Sequence, residues 1–186
     1  MSQPTETGIR LRPLELDDID ELVASHDDDP ASFAPTGDLG RERLRKQIER
    51  RPTLEDGGFL SLAIEADGRL VGDIQARAPK NGFPPGVCEI GITLFTNVRG
   101  RGVGREAVAL FTEQLFDAGW ERVQASTSVD NVAMRRVLER LGWELEGILR
   151  SFSPGENEGR EDYAMYAATR SEWTASQPKS GLQLPA

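Results

Sequence analysis

The chain has 186 residues, a length typical of one globular domain, and 38% of them are hydrophobic, which is enough to form a core. Its net charge of −9 argues against general affinity for nucleic-acid phosphates, which depends on clustered Lys and Arg. No apolar run approaches the roughly 18 to 20 residues that span a bilayer, and no secretory signal is recognisable. We therefore expect a cytoplasmic protein that binds neither nucleic acid nor membrane.

In chain order, the polar segments at 1–7 and 176–186 are predicted to be disordered, and one domain is expected over residues 8–175. Apolar periodicity predicts a strand at 9–14, helices at 16–26 and 40–51, and a hairpin at 59–77. It then predicts a strand at 87–95, a helix over 106–116, a strand at 121–129, a helix over 130–143, and strands at 144–152 and 161–169. This order of elements indicates a mixed α/β or α+β sheet domain.

Cys88 is the single cysteine of the chain, so no internal disulfide can form. The single histidine, His26, is far away in the sequence. We therefore interpret Cys88 as a small buried hydrophobic residue rather than a nucleophile.

A glycine- and arginine-rich turn follows the strand at 87–95. It reads Arg99, Gly100, Arg101, Gly102, Val103, Gly104, Arg105 and opens the helical pattern. A strand, a glycine turn and a helix N-terminus together form an anion site, because the free N–H groups and the helix dipole point at one spot. The spacing fits neither the Walker loop, which needs G-x-x-x-x-G-K-[ST], nor the dinucleotide fingerprint G-x-G-x-x-G.

The remaining pattern, R-x-x-G-x-G over Arg99–Gly104, resembles the pyrophosphate loop of the GNAT acetyltransferase superfamily. The later stretch "NVAMRRVLERLGW" resembles the second signature of that superfamily, in which an Asn, here Asn131, opens a helix. The ending "LEGILRSF...EDYAMYA" resembles the branch of ribosomal-protein alanine and serine N-acetyltransferases (RimJ and RimL type). The resemblance implies a mostly antiparallel twisted sheet of six to seven strands, with one splayed strand pair and about four flanking helices.

The same resemblance implies that the cofactor is acetyl-CoA. Backbone groups of Ile92, Thr93 and Leu94 would pair with the pantetheine arm, and a bulge in their strand would splay it from the next strand. The residues Arg99, Gly100, Arg101, Gly102, Val103, Gly104 and Arg105 would hold the pyrophosphate, mainly through backbone amides. Asn131 would face the cofactor, or cap its helix, and the two roles are compatible.

The expected reaction is direct transfer of an acetyl group to an amine, which needs a base to remove a proton from the ammonium form. Glu89 is the candidate base, since some members carry a catalytic glutamate on this strand; the alternative is an outward-facing carboxylate. Other members carry the glutamate five residues before the helix Asn, and Ser126 occupies that position here. No general acid is assigned, because Leu138 and Met134 occupy the Tyr and Ser positions of the family. Possible helpers are Ser128, Ser151 and Tyr163.

The acceptor is expected to be a small-molecule or peptide amine, because the acidic surface favours a cationic partner. Asp27, Asp28 and Asp29 either line its entrance or form a solvated loop, and Asp162 and Tyr163 are candidates near it. Two alternatives stay open: a non-catalytic module that senses acyl-CoA, and a structural or RNA-associated protein. Within the enzyme interpretation, an amino sugar or antibiotic is a further candidate acceptor. No metal site is predicted, and a monomer or a homodimer is expected.

Overall fold

The computed structural model describes residues 8–27, 36–51, 53–55, 58–155 and 159–176. Residues 1–7 and 177–186, most of the segments predicted to be disordered, lie outside these ranges. Asp28 and Asp29 of the predicted acidic entrance also lie outside them.

The described ranges form seven strands and five α-helices, with two short 3-10 turns. The elements are β1 (Ile9–Pro13), α1 (Ile19–Asp27), α2 (Gly37–Arg50), β2 (Phe59–Ala66), β3 (Arg69–Arg77), β4 (Val87–Leu94), α3 (Val103–Asp117), β5 (Arg122–Ser128), α4 (Val132–Arg140), β6 (Glu144–Pro154), β7 (Arg160–Thr169) and α5 (Arg170–Ser176).

All seven strands belong to one sheet in the order β1-β2-β3-β4-β5-β7-β6. Among the described strands, every neighbouring pair is antiparallel except β4 and β5, which are joined through α3 and run parallel. The predicted mixed fold with a mostly antiparallel sheet of six to seven strands is therefore confirmed.

Alternating residues of each strand point to opposite faces of this sheet. The main core lies on the face of the sheet that α3 and α4 cover, and it includes Cys88 and Ile90 of β4. Its largest fully buried side chains include Tyr166 and Phe111. A smaller cluster on the other face joins Leu22 of α1 to Ala63 of β2. Glu89 of β4 and Gln124 and Ser126 of β5 lie on this second face.

A network of ion pairs ties β1 to the start of α1. Arg12 donates to both oxygens of Asp18 at 2.7 Å and to Glu65 at 2.6 Å, and Arg10 also contacts Glu65. Burial raises the pKa of Asp18, but hydrogen bonds from Arg12 and from the backbone of Glu15 outweigh it, so this pKa lies below its ordinary value. The pKa of Glu65 is also lowered: burial raises it, and the two arginines more than compensate.

The ends of several elements differ by up to about three residues from the predicted ones; for example, α2 begins at Gly37 and α3 at Val103. Two larger differences concern the helices. The helix predicted at 16–26 begins with a 3-10 turn over Leu16–Asp18 before α1 proper. The short helix α5 was not predicted, because seven residues give little periodic signal. It is positioned by tertiary packing, in which Trp173 contacts Phe116 with ring centroids 6.1 Å apart.

The buried environment of Cys88 confirms its interpretation as a hydrophobic core residue. Its side chain is fully buried, and burial raises the pKa of its thiol to about 12. A thiol with this pKa is protonated at neutral pH, so it is not a nucleophile there.

Candidate active site

The central gap of the sheet lies between β4 and β5. These strands pair only at Val87 with Arg122, Cys88 with Val123, and Glu89 with Gln124. Beyond Glu89, β4 continues to Leu94 without a partner on this side, which confirms the predicted splayed pair. The free edge of β4 contains Ile92, Thr93 and Leu94, the residues expected to pair with an extended ligand.

The bulge expected in β4 is not found in its ladder with β3. The pairing runs without interruption from Gly72 opposite Leu94 to Arg77 opposite Glu89. The gap therefore arises where the parallel ladder ends, rather than from a register shift against β3. Close approach of β3 to β4 depends on Gly72, since a Cβ there would lie 2.1 Å from the carbonyl oxygen of Thr93.

The glycine loop leads from the end of β4 into α3. Gly100 and Gly102 have φ angles of 76° and 88°, a left-handed conformation that favours glycine. In the described part of the chain, no side chain caps α3, and its first backbone bond runs from the amide of Glu106 to the carbonyl of Gly102. The amides from Gly102 to Arg105 thus have no partner within the helix. This geometry fits an anion such as a pyrophosphate.

The arginine side chains of the loop are exposed, as at Arg101 and Arg105. Arg99 Nε donates to the carbonyl of Leu94 at 3.0 Å, so this guanidinium links the loop to the end of β4. The backbone of the loop, more than its side chains, has the geometry of an anion site.

Asn131 caps α4, and the capping interpretation is confirmed. Its Oδ1 accepts a hydrogen bond from the amide of Met134 at 3.1 Å. The residue is exposed at the start of the helix, and its contact with the cofactor stays a prediction.

The candidate base Glu89 lies at the apex of the gap, with a side chain that is only 12% exposed. Three donors from two neighbouring strands surround its carboxylate. Arg77 donates to Oε1 at 2.8 Å, Ser126 Oγ donates to Oε1 at 3.3 Å, and Gln124 Nε2 donates to Oε2 at 3.3 Å. The carboxylate is therefore partly buried and held by hydrogen bonds, and its role as the base stays a prediction.

A line of polar contacts extends from Glu89 across β5 to the edge of the sheet. Arg122 Nε donates to Gln124 Oε1 at 3.2 Å, and its guanidinium pairs with both oxygens of Glu146. Because Arg122 can only donate, it fixes the orientation of the Gln124 amide and presents Nε2 to Glu89. Sequence reasoning missed these residues, since the strand register, which brings Arg77 opposite Glu89, is not readable from one sequence.

At the two positions where the family carries a Tyr or Ser as general acid, this chain has Leu138 and Met134, and neither side chain can donate a proton. Leu138 lies on α4 with its side chain fully buried, and Met134 lies in the first turn of the same helix. Tyr166 is also fully buried, and its hydroxyl donates to Glu139 at 2.8 Å and accepts from Arg135 at 3.2 Å.

The other proposed helpers have local structural contacts. Ser128 accepts from the amide of Asp130 at 3.3 Å, and Asp162 accepts from the amide of Ser151 at 2.8 Å. Tyr163 is buried, and its ring lies 5.3 Å from that of Phe152. Asp162 thus stabilises the register shift in β6 between Leu149 and Ser153.

A second buried pair lies on the same face of the sheet as Glu89. Nε2 of His26, near the end of α1, is 3.4 Å from Oδ1 of Asp73 in β3. Both residues are buried, and His26 Nδ1 has no hydrogen-bond partner among the described residues. Asp27, the one described residue of the predicted acidic entrance, ends α1.

Two kinds of feature are absent from the described residues. None of their helices has both the length and the apolar character that crossing a bilayer requires. Their His, Cys, Asp and Glu side chains form no group of three or more that is suited to a metal ion.

Comparisons with solved structures show the same fold. RimJ from Mycobacterium smegmatis, in complex with CoA-disulfide, has a TM-score of 0.74 and 22% identity over 88% of this chain and 83% of its own. RimL, a ribosomal alpha-N-protein acetyltransferase in complex with coenzyme A, has a TM-score of 0.73 and 20% identity over 90% and 96%. A spermidine N-acetyltransferase SpeG chimera from Vibrio cholerae and hSSAT has a TM-score of 0.74 and 16% identity over 89% and 98%.

Among curated protein sequences, none matches this chain significantly. A family model described as the acetyltransferase (GNAT) domain matches residues 9–144, most of the chain. The open edge of β4 and the uncapped, glycine-led start of α3 fit the acetyl-CoA that this family uses. The chain therefore belongs to the GNAT family of acetyltransferases and is an acyltransferase that uses acetyl-CoA.

Proposed function

We propose that this acetyltransferase is an N-acetyltransferase that moves an acetyl group from acetyl-CoA directly to a primary amine. The observation that supports this most strongly is the position of Glu89, whose partly buried carboxylate lies at the apex of the gap between β4 and β5. A carboxylate there is placed to take a proton from an amine that enters from the second face of the sheet.

Acetyl-CoA, when bound, supplies an acetyl carbon that is open to attack and a thiol leaving group. The free edge of β4 at Ile92, Thr93 and Leu94 would hold its extended arm as an added strand. The amides from Gly102 to Arg105 would hold the pyrophosphate, with Arg99 and Gly100 shaping the loop and Arg101 beside it. Asn131 would orient the start of α4 toward the same site.

The acceptor class that we propose is a peptide N-terminus or a small cationic amine. The net charge of −9 favours a cationic partner through long-range attraction. The structural neighbours include one that acts on a ribosomal protein N-terminus and one that acts on spermidine, and both classes fit this expectation. We further propose that the protein acts as a monomer or a homodimer.

The proposal is tested with a thiol-reporter assay over a panel of amines, run with acetyl-CoA. The panel contains peptides that begin with Ala or Ser, spermidine and an amino sugar. Glu89→Gln keeps the shape of the side chain but removes the base, and we expect kcat/KM to fall at least about a hundredfold. Glu113→Gln, at an exposed position of α3, is the matched control and should retain full activity.

Two outcomes would contradict the proposal. Equal turnover by Glu89→Gln and the unmodified protein would remove Glu89 as the base. Tight binding of coenzyme A with no thiol release for any amine would favour the sensing module, the alternative that the buried Leu138 in place of a general acid supports.

A further inference from the structure

Among the three hydrogen-bond partners of Glu89, the hydroxyl of Ser126 differs in its chemistry. The guanidinium of Arg77 and the Nε2 group of Gln124 can only donate. A hydroxyl donates one hydrogen bond and still accepts through its lone pairs, so Ser126 alone in this set can pass a proton on.

Ser126 lies beside the open part of the gap. It lies on β5 two residues beyond Gln124, the last residue that pairs with β4. The side chains of Ser126 and Glu89 are both partly exposed, that of Glu89 to 12%. A group bound in the gap therefore has access to the hydroxyl as well as to the carboxylate.

Gln124 is the other neutral partner of Glu89, and the fixed orientation of its amide prevents it from relaying a proton. Its amide oxygen already accepts from Arg122 at 3.2 Å, and Arg122 is fixed by Glu146. The amide therefore cannot turn its oxygen toward a donor in the gap without losing both contacts. Among the described residues, the hydroxyl of Ser126 has no such second partner, which leaves its lone pairs for a ligand.

We propose that Ser126 relays the proton of the acceptor amine to Glu89. One proton moves from the ammonium nitrogen to Oγ of Ser126 as the hydroxyl proton moves to Oε1 of Glu89. The freed lone pair attacks the acetyl carbon and forms the C–N bond, and the C–S bond of the thioester breaks. The nitrogen loses its second proton to solvent as the amide forms, and the thiolate takes one proton from solvent. Glu89 then returns its proton to solvent, so atoms and charge balance.

The contact between Ser126 and Glu89 suits this role. Its length of 3.3 Å exceeds the usual range of about 2.5 to 3.0 Å for an O–H···O hydrogen bond. Catalytic hydrogen bonds are often long without substrate and shorten in the complex with it.

This inference rests on the proposed function, and the test separates the two. Ser126→Ala removes the hydroxyl, Ser126→Thr keeps it, and Ser61→Ala is the matched control on the same face of the sheet, two strands from β4. Single-turnover rates are measured in mixtures of H₂O and D₂O, with the best amine from the panel. Calorimetric titration with coenzyme A and thermal unfolding check that each variant keeps its fold and its cofactor site.

We expect Ser126→Ala to lose about tenfold in kcat/KM, a part of the contribution of a general base. The unmodified protein should show a curved dependence of rate on deuterium fraction, because two protons move, and Ser126→Ala should show a linear one. Ser126→Thr should stay within about threefold of the unmodified protein, and coenzyme A binding should be the same in all four proteins.

Three results would overturn the relay while the proposed function stands: unchanged kcat/KM in Ser126→Ala, the same dependence on deuterium in Ser126→Ala and the unmodified protein, or a linear dependence in the unmodified protein. Loss of coenzyme A binding in Ser126→Ala would assign it a structural role instead. Absence of thiol release by the unmodified protein would overturn the relay and the proposed function together.

Discussion

Glu89 and Gln124 form the last pair of the parallel ladder between β4 and β5, and their side chains are hydrogen-bonded across it at 3.3 Å. The carboxylate is thus held where the two strands separate. Arg77 reaches the same carboxylate from β3, so residues on both neighbouring strands fix one side chain.

Arg77→Ala should lower activity more than stability. The guanidinium is about half exposed, so its ion pair with Glu89 contributes on the order of 1 kcal/mol or less to the free energy of unfolding. Its removal leaves the carboxylate free to rotate away from the gap, and we expect kcat/KM to fall several-fold. Steady-state kinetics and urea unfolding measure the two effects, and Arg77→Lys should recover part of the activity.

A loss of several kcal/mol in the unfolding free energy of Arg77→Ala, with unchanged kcat/KM in the folded protein, would contradict this assignment. Arg77 would then stabilise the sheet without positioning Glu89.

Gly102→Ala should weaken the binding of coenzyme A. Its φ of 88° costs a residue with a Cβ about 1 kcal/mol, and relaxation of that strain would turn the first amides of α3 away from the pyrophosphate. We expect the Kd for coenzyme A, measured by calorimetry, to rise about tenfold. Gly119→Ala is the matched control, since Gly119 follows α3 and has a φ of 99° with open space around it.

Both glycine variants should lose similar stability, but only Gly102→Ala should lose affinity for coenzyme A. An equal loss of affinity in the two variants would show that strain in α3, and not the geometry of the loop, controls binding.

Low pH should weaken the network of ion pairs between β1 and the start of α1. The pKa values of Asp18 and Glu65 are lower in the folded state than in the unfolded state, so the network stabilises the fold fully above the ordinary carboxyl range of about 4. This stabilisation is lost as the pH falls through the lower, folded pKa values. Urea unfolding between pH 7 and pH 2 should show the loss.

Asp18→Asn should cost about 2 kcal/mol at pH 7, because it replaces one charged acceptor of the largely buried Arg12 with a neutral one and leaves Glu65 as its remaining charged partner. The same variant should also show a shallower decrease of stability in acid. If the free energy of unfolding of the variant fell with pH as steeply as that of the unmodified protein, other carboxylates would account for the pH dependence.

The buried pair of His26 and Asp73 should hold the end of α1 against β3. His26→Ala removes the donor and leaves the carboxylate of Asp73 buried, so we expect a loss of about 2 to 3 kcal/mol in the free energy of unfolding. His26→Gln places an amide nitrogen near the position of Nε2 and should recover part of that loss. Equal losses in the two variants would show that ring packing, and not the hydrogen bond, is the main contribution.

The fold could be predicted largely from periodicity, since every strand and the four longer helices have a clear apolar pattern. The loop Arg99–Gly104 could be interpreted because its chemistry is local: the glycines and the helix start are neighbours in sequence. The 3-10 turn before α1 and the short α5 could not, because the ion pair of Arg12 with Asp18 and the packing of Trp173 decide them.

The site around Glu89 was predictable only in part. Its place on the strand that enters the loop was clear, but its partners Arg77 and Gln124 lie 12 and 35 residues away. Such contacts depend on strand register, and a shift of one residue would turn each of these side chains to the other face.

The burial of Cys88 has a practical consequence for every assay proposed above. Since the sole sulfhydryl of the chain is sealed in the core with a pKa of about 12, a disulfide reagent that detects released coenzyme A meets no competing group on the native enzyme. In a blank that contains neither acetyl-CoA nor acceptor, any colour that grows would then report unfolded molecules. One reagent can thus follow turnover and, in a blank reaction, the unfolding of each variant.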